Sequence, residues 1–315
     1  ESAGSTLVYN LFSGLLQPHP KTLEPMPDIA THWKKSQDGR TYTFYLREST
    51  WSDGHPFTAH DLEWSWKRVL DPKTDSRYAS FLWTLKNGEA FNRGATAISN
   101  LPPGTTIEEL TNHLGPAIAV EKIELDIEDR QAFLFLKSQD DQKKAMELMK
   151  DKPFKDILLE VTPATRDHVG VKALNNLTLE VNLQNPIPYF LSVIMFYTTM
   201  PVPRHAIERL EKEGKNPELW TRPEYIVSNG AYNFKEWKFR QYMLLEKNER
   251  YWDSKNTRTR HIRLEMTDSY NTSLNIYKTG QFDWIGENMN LPSEFLQLLS
   301  KYSDYSRSPY LAVYF

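Results

Sequence analysis

In TYTFYL (Thr41–Leu46) and WSDGHPFTAHDLEWSWKRVLDP (Trp51–Pro72) an apolar period of two gives way to a helical one. Tyr42, Phe44 and Leu46 alternate onto one face, which predicts a half-buried strand. The turn formers Ser52, Asp53 and Gly54 follow, each with a local reason to bend the chain. Thr58 then stands three residues before Asp61, at capping-box spacing, and opens a helix. In that helix Leu62, Trp66 and Val69 recur at i, i+4 and i+7. Asp71 and Pro72 close it, because the residue before a proline is driven out of the helical region. A strand, a tight turn and a helix are thus expected within one short segment.

Outward from this unit the chain alternates short strands and helices without a strict βαβ rhythm. This predicts an α/β class of the mixed, α+β kind. Leu177 to Leu183 (LTLEVNL) is a second alternating strand. Asn185 to Tyr189 (NPIPY) and Met200 to Arg204 (MPVPR) are proline-fixed connectors. Helices are predicted over 205–213, 272–278 and 293–300, and strands over 242–246, 261–266 and 282–285. The stretch from Ala95 to His168 stands apart. It carries the turn signal Pro102-Pro103-Gly104, a strand pair (118–127 and 132–137) and a charged helix over 140–150. There is no internal repeat and no low-complexity tract.

At 315 residues the chain has room for one large or two medium domains. A net charge of −3 gives no field for a nucleic acid or an anionic membrane. No apolar run approaches the roughly 20 residues of a membrane-spanning helix; Tyr189 to Tyr197 (YFLSVIMFY) is too short. With no cysteine, disulfide scaffolds, cysteine nucleophiles and thiolate metal sites are excluded. The N-terminal ESAGSTL has neither the basic nor the apolar part of an export signal. Aromatic residues are numerous, with 9 Trp, 16 Tyr and 15 Phe. Core packing accounts for most of them, and the lining of a binding cleft is the sharper alternative.

Catalytic signatures are missing. No nucleophile elbow, Walker loop, dinucleotide-binding glycine run or H-E-x-x-H occurs. The nearest approach to a metal pattern is His55, His60 and Asp61, but at a helix start His60 and Asp61 point to different faces, so no metal site is assigned. Asp126, Glu128 and Asp129 are read as the cap of a solvated hairpin turn, since the glycine and bidentate glutamate of a calcium loop are missing.

Several blocks, in order, resemble the family 5 solute-binding proteins, which are the oligopeptide-, dipeptide- and nickel-binding receptors of ABC importers. They are WKKSQDGRTYTFYL (Trp33–Leu46), WSDGHPFTAHDLEWSWKRVLDP, KALNNLTLEVNLQNPIPYF (Lys172–Phe190), MPVPR, IVSNGAY (Ile226–Tyr232), LEKNERYWD (Leu245–Asp253) and GQFD (Gly280–Asp283). DPKTDSRYAS, MPVPR and NGAY are most similar to the oligopeptide-binding branch.

The resemblance implies a periplasmic-binding-protein type II-like lobe from residues 1–12 and 204–315. It implies an accessory domain from 13–203 with a family-atypical insertion near 95–168, and a second lobe missing from this chain. It further implies a receptor, not an enzyme, that captures oligopeptides between lobes and delivers them to the importer's permease subunits. The alternative is the same fold binding another solute: a nickel chelate, haem, oligosaccharide or opine. The receptor is expected to be a monomer without cofactors. It is expected outside the cytoplasm, either free in the periplasm or lipid-anchored through a removed N-terminal segment. Matched position by position, Tyr78, Phe315, Gly286 and Glu1 are the implied ligand contacts. Phe315 and Gly286 stand where the family places cleft tyrosines. Trp51, Asp53 and Gly54 are read as fixing one turn, and Asn229 and Gly230 as shaping another through glycine's backbone freedom.

Overall fold

The opening segment folds as its pattern requires. Thr41–Leu46 is a strand with Tyr42, Phe44 and Leu46 buried and the intervening residues half-exposed. It lies in a four-stranded sheet of order Val171–Asn175, Thr178–Asn182, Thr41–Leu46, Ala30–Lys35. The Ala59–Leu70 helix follows, with Leu62, Trp66 and Leu70 buried. The inward position of the last turn is Leu70; Val69, expected in the core, is only half-buried. A spacing of four, repeated, keeps the three side chains along one ridge. At the helix start the Asp61 carboxylate accepts from both the Thr58 amide (2.8 Å) and its hydroxyl (3.0 Å).

The computed structural model describes residues 2–267, 269–285 and 299–306. The chain divides into two contact units. One comprises the described parts of Glu1–His32, Phe44–Leu62 and Leu191–Phe315, the other Trp33–Thr43 and Glu63–Phe190. Residues 13–32, 44–62 and 191–203 fall in the first of these, together with the described chain beyond 203.

Within the second unit, residues 96–163 build a sheet of order Glu160–Pro163, Thr96–Ser99, Gln131–Leu136, Val120–Asp126, all antiparallel. The helices Ile107–Leu114 and Gln139–Asp151 belong to the same stretch. Gln131–Leu136 (QAFLFL) does not alternate, and it is buried on both faces. Ala132 and Leu134 join a cluster with Ile98, Leu110, Leu114, Ala145 and Met149. Phe133 and Phe135 face a second cluster with Ala90, Ala95, Ala97 and Ala164. A strand covered on two sides loses the polar alternation of a half-exposed one. The acidic hairpin turn is not merely solvated, since Lys86 Nζ pairs with both Asp126 and Asp129 at 2.7 Å.

In the first unit Tyr232–Lys238, Tyr242–Lys247 and His261–Glu265 form an antiparallel sheet. Two short antiparallel pairs accompany it, Leu16–Pro18 with Pro25–Pro27 and Ser49–Thr50 with Pro56–Phe57. Arg204–Lys212 is a helix burying Ala206, Ile207 and Leu210, and Tyr270–Lys278 is another. The strand expected over 282–285 does not form; those residues are irregular. The helix expected over 293–300 lies almost wholly outside the described residues.

Candidate functional site

Three distant segments of the first unit meet backbone to backbone. Asn229 Nδ2 donates to the Ser13 carbonyl at 3.0 Å, and its Oδ1 accepts from the Ser13 amide at 3.1 Å. The Ser52 amide donates to the Ser228 carbonyl at 2.7 Å, and the Ser228 amide donates to Ser52 Oγ at 3.0 Å. Gly230 donates to the Leu11 carbonyl at 2.8 Å. Its role differs from the expected one, because its φ is not in the left-handed region. A Cβ there would stand 2.6 Å from the Leu11 carbonyl carbon and 2.7 Å from the Phe12 nitrogen. Space, not conformational freedom, demands glycine at 230.

Gly54 is the opposite case, with φ at +92°. Its amide donates to the Trp51 carbonyl at 2.9 Å, and the Trp51 amide closes the loop on the His55 carbonyl at 2.8 Å. Trp51 is fully buried and anchors the turn. Asp53 and His55 then project from a rigid loop. His205 joins them from the first turn of Arg204–Lys212, which Pro201 and Pro203 deliver. Asp53 Oδ2 lies 2.8 Å from His205 Nε2 and 3.0 Å from His55 Nδ1. The two imidazoles stack at 4.3 Å with 28° between their planes. Burial alone would raise the Asp53 carboxyl. Hydrogen bonds from His205 and the His55 amide, with His205's charge, outweigh it and hold the group below the usual carboxylate range. Among the described residues this is the group whose metal-ligating atoms converge, all within 4.8 Å of one another. The sequence pairing of His55 with His60 and Asp61 is not the one that forms: His60 is exposed, and Asp61 turns to Thr58.

A second polar centre of this unit is buried. Trp252 Nε1 donates to Asp28 Oδ1 at 3.0 Å, and Arg47 Nε donates to the Asp28 carbonyl at 2.7 Å. The Arg47 guanidinium lies 3.5 Å over the Trp252 ring. Burial pushes the Asp28 carboxyl up to about 6, against the lowering effect of Trp252, Ser13, Arg47 and the Gly14 amide. Neighbouring Tyr251 is pushed to about 12, by burial first and by the Asp28 charge second. Neither Asp28 nor His205 was marked by any motif. Their partners lie 224 and 152 residues away in sequence, where no spacing rule applies.

Of the four implied ligand contacts, Glu1, Gly286 and Phe315 lie outside the described residues. Tyr78 is half-buried at the start of the Ala79–Thr84 3-10 turn, edge-on to Phe81 with ring centres 5.9 Å apart. A cleft of about 290 Å³ opens nearby in the second unit, lined by Ser80, Trp83, Asn87, Glu89, Lys122 and Glu124 among others, but not by Tyr78. Its charges neutralise one another, with Lys122 pairing Glu124 at 2.6 Å and Glu89 at 3.0 Å.

A sequence model described as bacterial extracellular solute-binding proteins, family 5 Middle, matches residues 24–315. The chain is 31% identical over 314 residues to the periplasmic oligopeptide-binding protein OppA of Salmonella typhimurium, covering 99% of this chain and 44% of that protein. It is 29% identical to the oligopeptide-binding protein OppA of Bacillus subtilis, covering 100% of this chain and 44% of that one. Among solved structures, a periplasmic oligopeptide-binding protein from Borrelia burgdorferi superposes with a TM-score of 0.68 at 28% identity, over 97% of this chain and 46% of the other. The substrate-binding domain of an oligopeptide ABC transporter from Bacillus anthracis gives 0.67 at 26%, over 96% and 44%. The chain therefore spans less than half the length of these relatives.

Proposed function

Because the chain belongs to the bacterial extracellular solute-binding proteins of family 5, we propose that it is the peptide-capturing component of an ABC importer. Its mixed α/β fold is of the type II periplasmic-binding-protein kind, shared with the oligopeptide-binding structures. The observation that carries the peptide reading is likeness over 99% of the chain, at 31% identity, to a protein named for oligopeptide binding. An extended peptide recognised through its main chain needs only backbone-directed hydrogen bonds, which every peptide can satisfy. Water in roomy side-chain pockets then tolerates varied residues. Closure about a hinge would hold the ligand.

In this reading Tyr78 lines a side-chain pocket, with Glu1, Gly286 and Phe315 as further contacts. Residues 1–12 and 204–315 belong to a ligand-binding lobe, and 13–203 to an accessory domain in which 95–168 is an insertion. The receptor acts outside the cytoplasm as a monomer, docks on permease subunits and performs no catalysis. No helix among the described residues is long and apolar enough to cross a membrane.

The test is thermal-shift screening of the receptor with both lobes present, using millimolar pools of two- to five-residue peptides, oligosaccharides and nickel chelates. Upward shifts confined to peptides are expected, and Tyr78→Ala should reduce them. A shift with a sugar or a chelate, and with no peptide, overturns the peptide assignment.

A further inference from the structure

We infer that Asp53, His55 and His205 form a divalent transition-metal site, with Asp53 Oδ2, His55 Nδ1 and His205 Nε2 as ligands. The donor set is two imidazoles and one carboxylate, which suits zinc, nickel or copper rather than calcium or magnesium. Three protein ligands leave a further position for water.

The geometry is already close to what an ion requires. The Nδ1 and Nε2 atoms approach one carboxylate oxygen at 3.0 and 2.8 Å, and all three ligand atoms lie within 4.8 Å of one another. Bonds of about 2.0–2.1 Å in a tetrahedral arrangement place ligand atoms about 3.3 Å apart. The two separations from Asp53 Oδ2 need to open by only about half an ångström or less to reach that spacing. Without an ion, each imidazole donates an N–H to the ionised Asp53. With an ion, His55 Nδ1 and His205 Nε2 carry no proton and turn their lone pairs to the metal, leaving the ring N–H of each on His55 Nε2 and His205 Nδ1.

The framework is preset. The Trp51–His55 loop is closed by two backbone hydrogen bonds, and buried Trp51 meets the His205 ring edge-on at 5.9 Å. Ordering three separate side chains is the main cost of building a site, and here that ordering precedes binding. Nearby cations set the affinity. Arg204 is occupied by Glu208 at 2.6 Å, while the Arg250 guanidinium borders Gly54 and opposes a bound cation. A dissociation constant in the micromolar range is expected. An ion here ties the turn to the helix that begins at Arg204, a link between residues 152 apart in sequence.

The test is calorimetric titration of the chelator-stripped 315-residue chain with zinc ion alone. One ion per chain is expected, and the affinity should fall on the order of tenfold or more in each of His55→Ala, His205→Asn and Asp53→Asn. His60→Ala, the neighbouring exposed histidine, should leave it unchanged. The His55 side chain is 60% exposed, so His55→Ala keeps the fold, and circular dichroism verifies this. Bound Co²⁺ should show a ligand-field absorption that disappears in His55→Ala. No zinc binding at millimolar concentration, affinity unaltered in His55→Ala and His205→Asn, or a cobalt band that persists in His55→Ala would each overturn the assignment.

Discussion

The sheet of residues 96–163 and the knot around Ser13, Ser52 and Asn229 reach close packing by opposite routes. In the sheet, every member of the main buried cluster lies between Ile98 and Val161. In the knot, the key hydrogen bonds join residues 216 and 176 apart. The first region draws its core from its own neighbourhood, whereas the second exists only after the chain has returned from the far end. Loop closure must come before such distant contacts contribute, so the knot depends on the rest of its unit and the sheet far less.

The largest effect is expected from Leu134→Ala, which removes the centre of the local cluster. A fully buried leucine truncated in this way costs about 4 kcal/mol. Amide hydrogen exchange should accelerate across 96–163 and remain unchanged around Ser13 and Asn229. Acceleration in both regions would show that the sheet does not carry its own stability.

Next is Gly230→Ala, at about 3 kcal/mol, the upper end of overpacking costs, because the new methyl meets backbone that cannot rotate away. Denaturant unfolding followed by tryptophan fluorescence should move to lower midpoint, with exchange protection lost at Leu11–Gly14 and at Ser52. An unchanged midpoint would mean that the segments 11–12 and 230 are less tightly apposed.

A smaller effect concerns Asp28 and sharpens the comparison through pH. Its folded carboxyl titrates near 6 against an unfolded value of 3.8. Between those values the folded chain keeps a proton that the unfolded chain has lost. This contribution therefore lowers stability as pH rises, by about 2 kcal/mol from about pH 4 to pH 6. Asp28→Asn should remove that slope, measured as the difference between wild-type and variant stability at the two pH values. A difference that does not change with pH would remove Asp28 from the titrating groups.

Legibility in the sequence followed the same division. Thr41–Leu46, Ala59–Leu70, the hairpin after Val120 and the helix at Gln139–Asp151 could be read from period, caps and turn formers, each a property of neighbours along the chain. The strand expected at 282–285 failed because a short apolar run has no period long enough to decide it. The Thr96–Ser99 and Glu160–Pro163 strands were not foreseen, since their burial comes from partners and not from their own pattern. At the candidate metal site, Asp53 and His55 were visible as turn residues, but nothing in MPVPRH marked His205 as their partner. For Gly230 the residue was recognised and the reason was not: a sequence displays a missing side chain but not the backbone that fills its place.

The sequence by itself therefore determined the family, the mixed α/β class and the local strand–turn–helix unit, because hydrophobic period, capping and turn chemistry act over a few residues. Tertiary structure alone decided that His205 meets Asp53, that Asp28 is buried under Trp252 and Arg47, and that no side chain fits at 230. Those facts depend on which distant segments share a volume, and burial, convergent lone pairs and steric exclusion arise only once they do.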